Sequence, residues 1–211
     1  MIITPSAVYT RALNLYRMQV TYDSRGPKPG KWGDLVSCMP GSVCGTGSIQ
    51  SPIEIPSGLR EEAGDFKLKN YDREFRKFDV EADGHAITVV IKEGGKAPSV
   101  EGQNVLGKGK FVLQQFHFHL GSNDNQGAEH KIDDAGRSFP MEVHFVHAKE
   151  GKRSLAEALR EPGSVLVMAV LFQVEDTPAD DKADSALQAI IDKIGVTADA
   201  TKVYATTLIW S

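Results

Sequence analysis

The chain has no apolar run near the ~20 residues that a membrane-spanning helix requires, and it has no basic cluster. With 24 Lys and Arg against 28 Asp and Glu, its formal net charge is −4. That balance argues against nucleic acid and against an anionic membrane surface as partners. Cysteine is scarce: Cys38 and Cys44 are the only two; they could close a small loop, remain reduced, or leave one in a bridge to a partner that is absent, and they do not settle the redox compartment. The opening MIITPSAVYTRALNLYRMQV is interrupted by Arg11, Asn14 and Arg17 and does not read as a signal peptide. The composition, 41% hydrophobic and 25% charged over 211 residues, is that of an ordinary globular domain with enough chain to bury a sizeable core.

Histidine is unevenly spread. Five of the six lie between Phe111 and His147, in FVLQQFHFHLGSNDNQGAEHKIDDAGRSFPMEVHFVH. The first ten residues read as a strand. Strict alternation puts Phe111, Leu113, Gln115, His117 and His119 on one face, and Val112, Gln114, Phe116, Phe118 and Leu120 on the other. His117 and His119 are then one strand repeat apart, roughly 7 Å, close enough for both rings to reach one ion. A second strand, Met141–His147, places Glu142, His144 and Val146 on one face and Met141, Val143, Phe145 and His147 on the other. If the two strands are neighbours, His144 completes a cluster of three imidazoles. Gln115 and Glu142 each precede a candidate ligand by two residues on the same face, where an acceptor for the second ring N–H of a metal-bound histidine is expected.

Three neutral nitrogens suit zinc and leave a fourth position open. Two other readings of the pattern stand beside it. Metal-binding cupins also begin from His-x-His, but they need a glutamate about four residues on, where this chain has Asn123 and Asp124. An iron site of two histidines and one carboxylate would have to recruit Glu129 or Glu142.

Elsewhere, the Gly-, Pro- and Ser-rich residues 21–58 predict turns and extended segments, with Trp32 as an anchor on the body of the domain. Residues 66–80 read as strand. Asp83–Gly84 is a turn into a strand at Ile87–Ile91, with His85 at its entrance, and 94–109 is a turn-rich connection. Ser154–Leu159 predicts a short helix ended by Pro162–Gly163. Ser164–Val174 is a continuous apolar run that reads as a strand buried on both faces, and Ala179–Ile194 carries a helical apolar stripe stopped by Gly195.

These residues resemble the α-class carbonic anhydrases. QFHFHLGS and MEVHFVH are similar to that family's two zinc strands, and Ala128–His130 to the element between them. GPKPGKW and SIQSPIEI are similar to its N-terminal signature, and DGHAITV to the segment that carries its proton-shuttle histidine. The motifs are collinear from about residue 21 to 195. The resemblance implies an α+β, mostly β fold: one domain with a large, mainly antiparallel twisted central sheet and a few short peripheral helices. It implies Zn2+ as cofactor, held by His117, His119 and His144, with Gln115 and Glu142 as acceptors behind His117 and His144. It also implies His85 as proton shuttle, Glu129 as the carboxylate orienting a gatekeeper hydroxyl, and Val146, Val165 and Val167 as the wall of a carbon dioxide pocket. His130 and His147 fall at structural positions. The activity implied is reversible hydration of carbon dioxide to bicarbonate, with no nucleic-acid partner and no membrane span.

The chain departs from the family in places. Leu120 stands where tryptophan is usual. ATKVYATTLIWS stands where a Leu–Pro turn, a tyrosine-rich strand and a Thr–Thr–Pro–Pro loop are expected. The expectation is thus an N-terminal extension over 1–20 and a carbonic anhydrase-like domain over 21–211 that lacks the family's last strands, the gatekeeper threonine and the backbone acceptor for His119. Cys44 stands at the position that is bridged in secreted members. A non-catalytic zinc-binding or interaction protein on the same fold is the alternative to an enzyme.

Overall fold

The computed structural model describes residues 2–3, 54–56, 67–73, 77–82, 87–102, 109–120, 127–132, 136–172 and 203–205. The strands, in chain order, are β1 (Ile2–Ile3), β2 (Glu54–Ile55), β3 (Lys67–Lys69), β4 (Phe78–Ala82), β5 (Ile87–Ile91), β6 (Ser99–Gly102), β7 (Gly109–Leu120), β8 (Lys131–Ile132), β9 (Met141–Lys149), β10 (Val165–Phe172) and β11 (Val203–Ala205). One short helix, α1 (Leu155–Ala158), follows β9. Nine of the strands form a single sheet with the path β1-β10-β9-β7-β5-β4-β11, and β3 and β6 branch from β7; β2 and β8 pair separately. Apart from the parallel β1–β10 pair, every pairing in the large sheet is antiparallel. The mostly β, mainly antiparallel architecture is the one expected.

The long strand β7 is the axis. One edge pairs with β9 over most of its length. The other edge is shared: β6 covers Gly109–Val112 and β5 covers Gln115–Phe118. At the handover the register with β9 shifts, since Leu113 faces His147 while Gln115 faces Val146. This is a β-bulge with one extra residue, Gln114, and such an insertion reverses the face of everything beyond it. Strict alternation along β7 is therefore corrected. Phe111 and Leu113 lie with Phe116 and Phe118 on the buried face, opposite the face of Gln115, His117 and His119.

That buried face is the core. Phe111, Leu113, Phe116 and Phe118 pack with Val80, Val89, Val100, Val143, Phe145 and Met168. The rings of Phe116 and Phe145 lie 5.5 Å apart and those of Phe116 and Phe118 5.8 Å apart, the latter edge to face, a favoured geometry for aromatic pairs.

Three other expectations are revised. Residues 66–80 form two strands instead of one, because the chain turns at 70–73, where Asn70 takes a positive φ of 62°, a conformation asparagine tolerates better than most residues. The connection 94–109 contains a 3-10 turn at Gly94–Lys96 and the strand β6. The apolar run after Pro162–Gly163 does form a strand, but it is not buried on both faces: Val167 is 43% exposed. Among the described residues, only Ala169 and Val170 gain a partner on its outer edge. The helix α1 lies where it was expected, capped by Ser154, whose hydroxyl accepts the Glu157 N–H. Trp32, Cys38, Cys44, the turn with His85, and the helix expected over 179–194 lie outside the described residues, and β11 pairs antiparallel with β4.

His147 is on the core face and fully buried. Its Nδ1–H donates to the Leu166 carbonyl at 3.2 Å, which leaves Nε2 to accept the Tyr71 hydroxyl. Burial lowers its pKa to about 4, opposed by the backbone hydrogen bonds. The unfolded chain therefore binds the proton more readily between pH 6.5 and 4. Stability is full above about 6.5 and falls as the pH drops through that window, by on the order of 3 kcal/mol for a shift of this size.

Two outcomes follow. The acid limb of a denaturation profile between pH 6.5 and 4 flattens in His147→Gln relative to the parent. By chemical denaturation, Leu113→Ala costs about 2–5 kcal/mol and Val112→Ala about 1 kcal/mol; unbroken alternation through Gln114 would reverse that order.

Candidate metal centre

Beyond the bulge, the face of β7 and β9 opposite the core collects the polar residues. His117 and His144 are directly paired across the two strands, and His119 is paired with Glu142. Cross-strand partners share a face, so the three imidazoles converge. Ring centroids are 4.9 Å apart for His117–His119, 5.2 Å for His117–His144 and 4.4 Å for His119–His144. One nitrogen from each ring falls within 4.8 Å of the other two.

Ring orientation follows from the acceptors. Gln115 Oε1 lies 2.9 Å from His117 Nδ1. An amide oxygen can only accept, so His117 carries its proton on Nδ1 and presents a lone pair on Nε2. Glu142 Oε1 lies 2.8 Å from His144 Nε2, so His144 presents its lone pair on Nδ1. That nitrogen is 3.1 Å from His119 Nε2. Two ligands about 2.0–2.1 Å from a tetrahedral ion stand about 3.3–3.4 Å apart, within a few tenths of an ångström of this spacing. The donor set and its spacing fit zinc.

Glu142 is fully buried. Its Oε2 accepts the backbone N–H groups of Glu129 at 2.8 Å and His130 at 3.0 Å, and its Oε1 accepts His130 Nδ1–H at 2.5 Å besides His144. Burial alone would raise its pKa, but the hydrogen bonds from His130 and His144 hold it far below the usual carboxylate range. The bond to Glu142 likewise raises His130, against the effect of burial. His130, Glu142 and His144 also offer three potential ligand atoms close together. Their separations of 2.5 and 2.8 Å are those of hydrogen bonds, shorter than the spacing of nitrogens and oxygens around a shared ion.

Burial first, and then the neighbouring His144, lowers the pKa of His117 to about 4; the same two causes, with His117 added, lower His119 to about 3. Both rings are thus neutral at ordinary pH, the protonation state that ligates metal.

The apolar residues sit beside the cluster. Val167 is the direct cross-strand partner of Val146 and Ala169 that of His144, so Val146, Val165 and Val167 share the histidine face. Val146 is buried, Val165 half-buried and Val167 exposed. Glu129 is held by its own N–H on Glu142 and turns its Oε1 to within 3.4 Å of His119 Nδ1. His85 lies outside the described residues. The hydrogen bond from His130 to Glu142 was not expected from the sequence. Its signal was Ala128–His130, a small residue followed by two groups able to meet a buried carboxylate, but nothing in the spacing placed that loop over β9.

Fold and site together define a protein with a three-histidine cluster able to hold a metal ion on a mainly antiparallel sheet. Residues 27–209 match the family described as eukaryotic-type carbonic anhydrase, and the chain belongs to that family. It is 36% identical to a carbonic anhydrase of Neisseria gonorrhoeae, an alignment covering 71% of this chain and 47% of the relative. It is 34% identical to carbonic anhydrase 15 of Mus musculus (74% and 47% covered) and 30% identical to carbonic anhydrase 7 of Homo sapiens (68% and 54% covered). The chain spans about half the length of the curated relatives it matches. No described helix is long and apolar enough to cross a membrane.

Replacing Glu142 with Gln puts an amide where four donors converge. Zinc affinity, read by competition with a chromogenic chelator, falls about 10–100-fold; unchanged affinity would mean that the ring of His144 needs no acceptor there.

Proposed function

We propose that the chain is a zinc-dependent carbonic anhydrase that hydrates carbon dioxide reversibly to bicarbonate and a proton. The observation that carries this reading is the convergence of His117, His119 and His144, two of them with a ring acceptor that turns the other nitrogen inward. The three imidazoles hold the ion. When bound, zinc supplies Lewis acidity that brings a coordinated water to a pKa of about 7, the value known for carbonic anhydrases as a class.

The chain's own residues do the rest. Gln115 and Glu142 keep the rings of His117 and His144 from turning. Val146, Val165 and Val167 line the side of the centre along β9 and β10, where water is bound poorly and an apolar, uncharged molecule such as carbon dioxide can rest. Glu129 orients a gatekeeper hydroxyl. His85 carries the released proton to solvent, imidazole being the side chain whose unperturbed pKa lies nearest neutral pH. Relatives named as carbonic anhydrases support the same reading.

Stopped-flow hydration of carbon dioxide by the zinc-loaded chain tests it, with His117→Ala as the control. The expected result is a rate that depends on enzyme concentration and is absent in the control. A rate no greater than the control's would leave a zinc-binding protein without this activity. For the shuttle, His85→Ala slows turnover in weak buffer and added imidazole restores it; an unchanged rate would remove His85 from the pathway.

A further inference from the structure

The histidine face of the sheet continues past β7 onto β5. Thr88 is the direct cross-strand partner of His117, and Val90 that of Gln115. Cross-strand partners share a face, so two rows cross the sheet side by side. One holds His144, His117 and Thr88, the other Val146, Gln115 and Val90. The rows are two residues apart along each strand, roughly 7 Å. The valines placed beside carbon dioxide occupy only β9 and β10. Val90 is half-buried on the other side of Gln115, and that reading gives it no part.

We infer that Val90 is a further specificity-determining residue: with Val146 it flanks a slot over Gln115 that takes one flat, uncharged apolar group carried by a metal-binding molecule. The inference rests on the metal-centre part of the reading above. It goes beyond that reading by giving the centre a second class of ligand, larger than carbon dioxide.

The spacing of the strands sets the width of the slot. Val90 and Val146 lie two strands apart, about 9.6 Å between backbones, and side chains on a strand stand roughly perpendicular to the sheet. A flat ring between them needs about 3.5–4.0 Å to the carbons on either side. That is roughly 7–8 Å in all, which the separation accommodates.

Gln115 would fill the slot if its amide stood upright. Its Oε1 instead lies 2.9 Å from His117 Nδ1, so the polar end leans along β7 towards the row of ligands and the methylene stem is left as the floor. The same bond ties the slot to the centre, because the floor residue also orients a ligand ring. A group one bond away from a metal-bound atom therefore lies above the slot. Beyond Val90 the row turns polar. Its partner Asp79 pairs with Lys92 Nζ at 3.4 Å, so the apolar surface ends at β5 and has room for one ring.

Calorimetric titration of the zinc-loaded full chain with imidazole and with phenylimidazole tests the assignment. Both probes bind a metal through an azole nitrogen, and only the second carries an apolar ring. The ratio of the two affinities is the readout, since a general loss of zinc cancels in it. In the parent, phenylimidazole binds about tenfold more tightly, the gain from burying on the order of 60 Å2 of apolar surface. In Val90→Thr, which keeps the shape and adds a hydroxyl that the ring would desolvate, the ratio falls about threefold or more. Val90→Ala, which removes the flank, lowers it as well and serves should the Thr variant not fold. A parent ratio within twofold of one, or a ratio unchanged by both substitutions, overturns the inference. So does a ratio that falls in Val167→Thr and not in Val90→Thr, which would put the ring on the β10 side. Phenyl preference without carbon dioxide hydration would remove the proposed reaction and leave this assignment standing. Imidazole binding without phenyl preference removes this assignment alone, and a zinc-loaded chain that binds neither probe overturns it.

Discussion

A buried carboxylate with four donors holds this site together. Taking Glu142 out of water costs several kcal/mol, and the fold meets that cost with two backbone N–H groups and two imidazoles, filling both oxygens. The donors come from different parts of the chain: His144 from β9 itself, and Glu129 and His130 from the segment ahead of β8. Because the anion binds all of them, it fixes the loop over the strand and the ring on the strand together. Loss of any one donor leaves lone pairs stranded in a place without solvent, so the arrangement is stable as a whole or not at all.

That constraint explains why a loop takes part in a site built on strands. The segment 127–132 is short of apolar residues and would otherwise have little reason to lie against the sheet. Its attachments are polar: Ala128 N–H to the Phe139 carbonyl at 2.9 Å, the paired bonds between Ile132 and Arg137, and the clamp on Glu142. Glu129 reaches His119 only because its backbone is already held.

Much of this was legible in the sequence. The His-x-His strand, the second strand with His144, and the acceptors two residues ahead all follow from a period of two, and the structure brings those residues together. Where alternation failed, the sequence did carry a sign. The apolar residues of β7 fall at 111, 112, 113, 116, 118 and 120; those in the core, at 111, 113, 116 and 118, make a step of three in a series of twos across the pair Gln114–Gln115, although Val112 also fits an unbroken phase. Read as a change of phase, that step places the bulge. Other features were not legible. The turn after Lys69 depends on a left-handed asparagine that local composition did not single out. The exposure of Val167 depends on what covers the histidine face of β10, a long-range matter that no local pattern reports. His130 fell at a structural position by resemblance alone, since a loop histidine finds its partner through tertiary structure and not through spacing.

The bulge also ties stability to chemistry. On β7 and β9, core and site are two faces of the same strands, one residue apart: Phe116 beside His117, Phe118 beside His119, Val143 and Phe145 beside His144. A slip of one residue would carry every imidazole into the hydrocarbon and every phenyl ring into the site. Phe116, fully buried against Phe145, therefore acts on the histidine cluster without touching it, because its packing excludes the wrong register. Conversely, an ion bound by the folded cluster and not by the unfolded chain stabilises that register in proportion to its occupancy. The extra residue at Gln114 lets one strand serve both purposes. It keeps Phe111 and Leu113 in the core where β6 pairs, and turns His117 and His119 to the other side where β5 takes over.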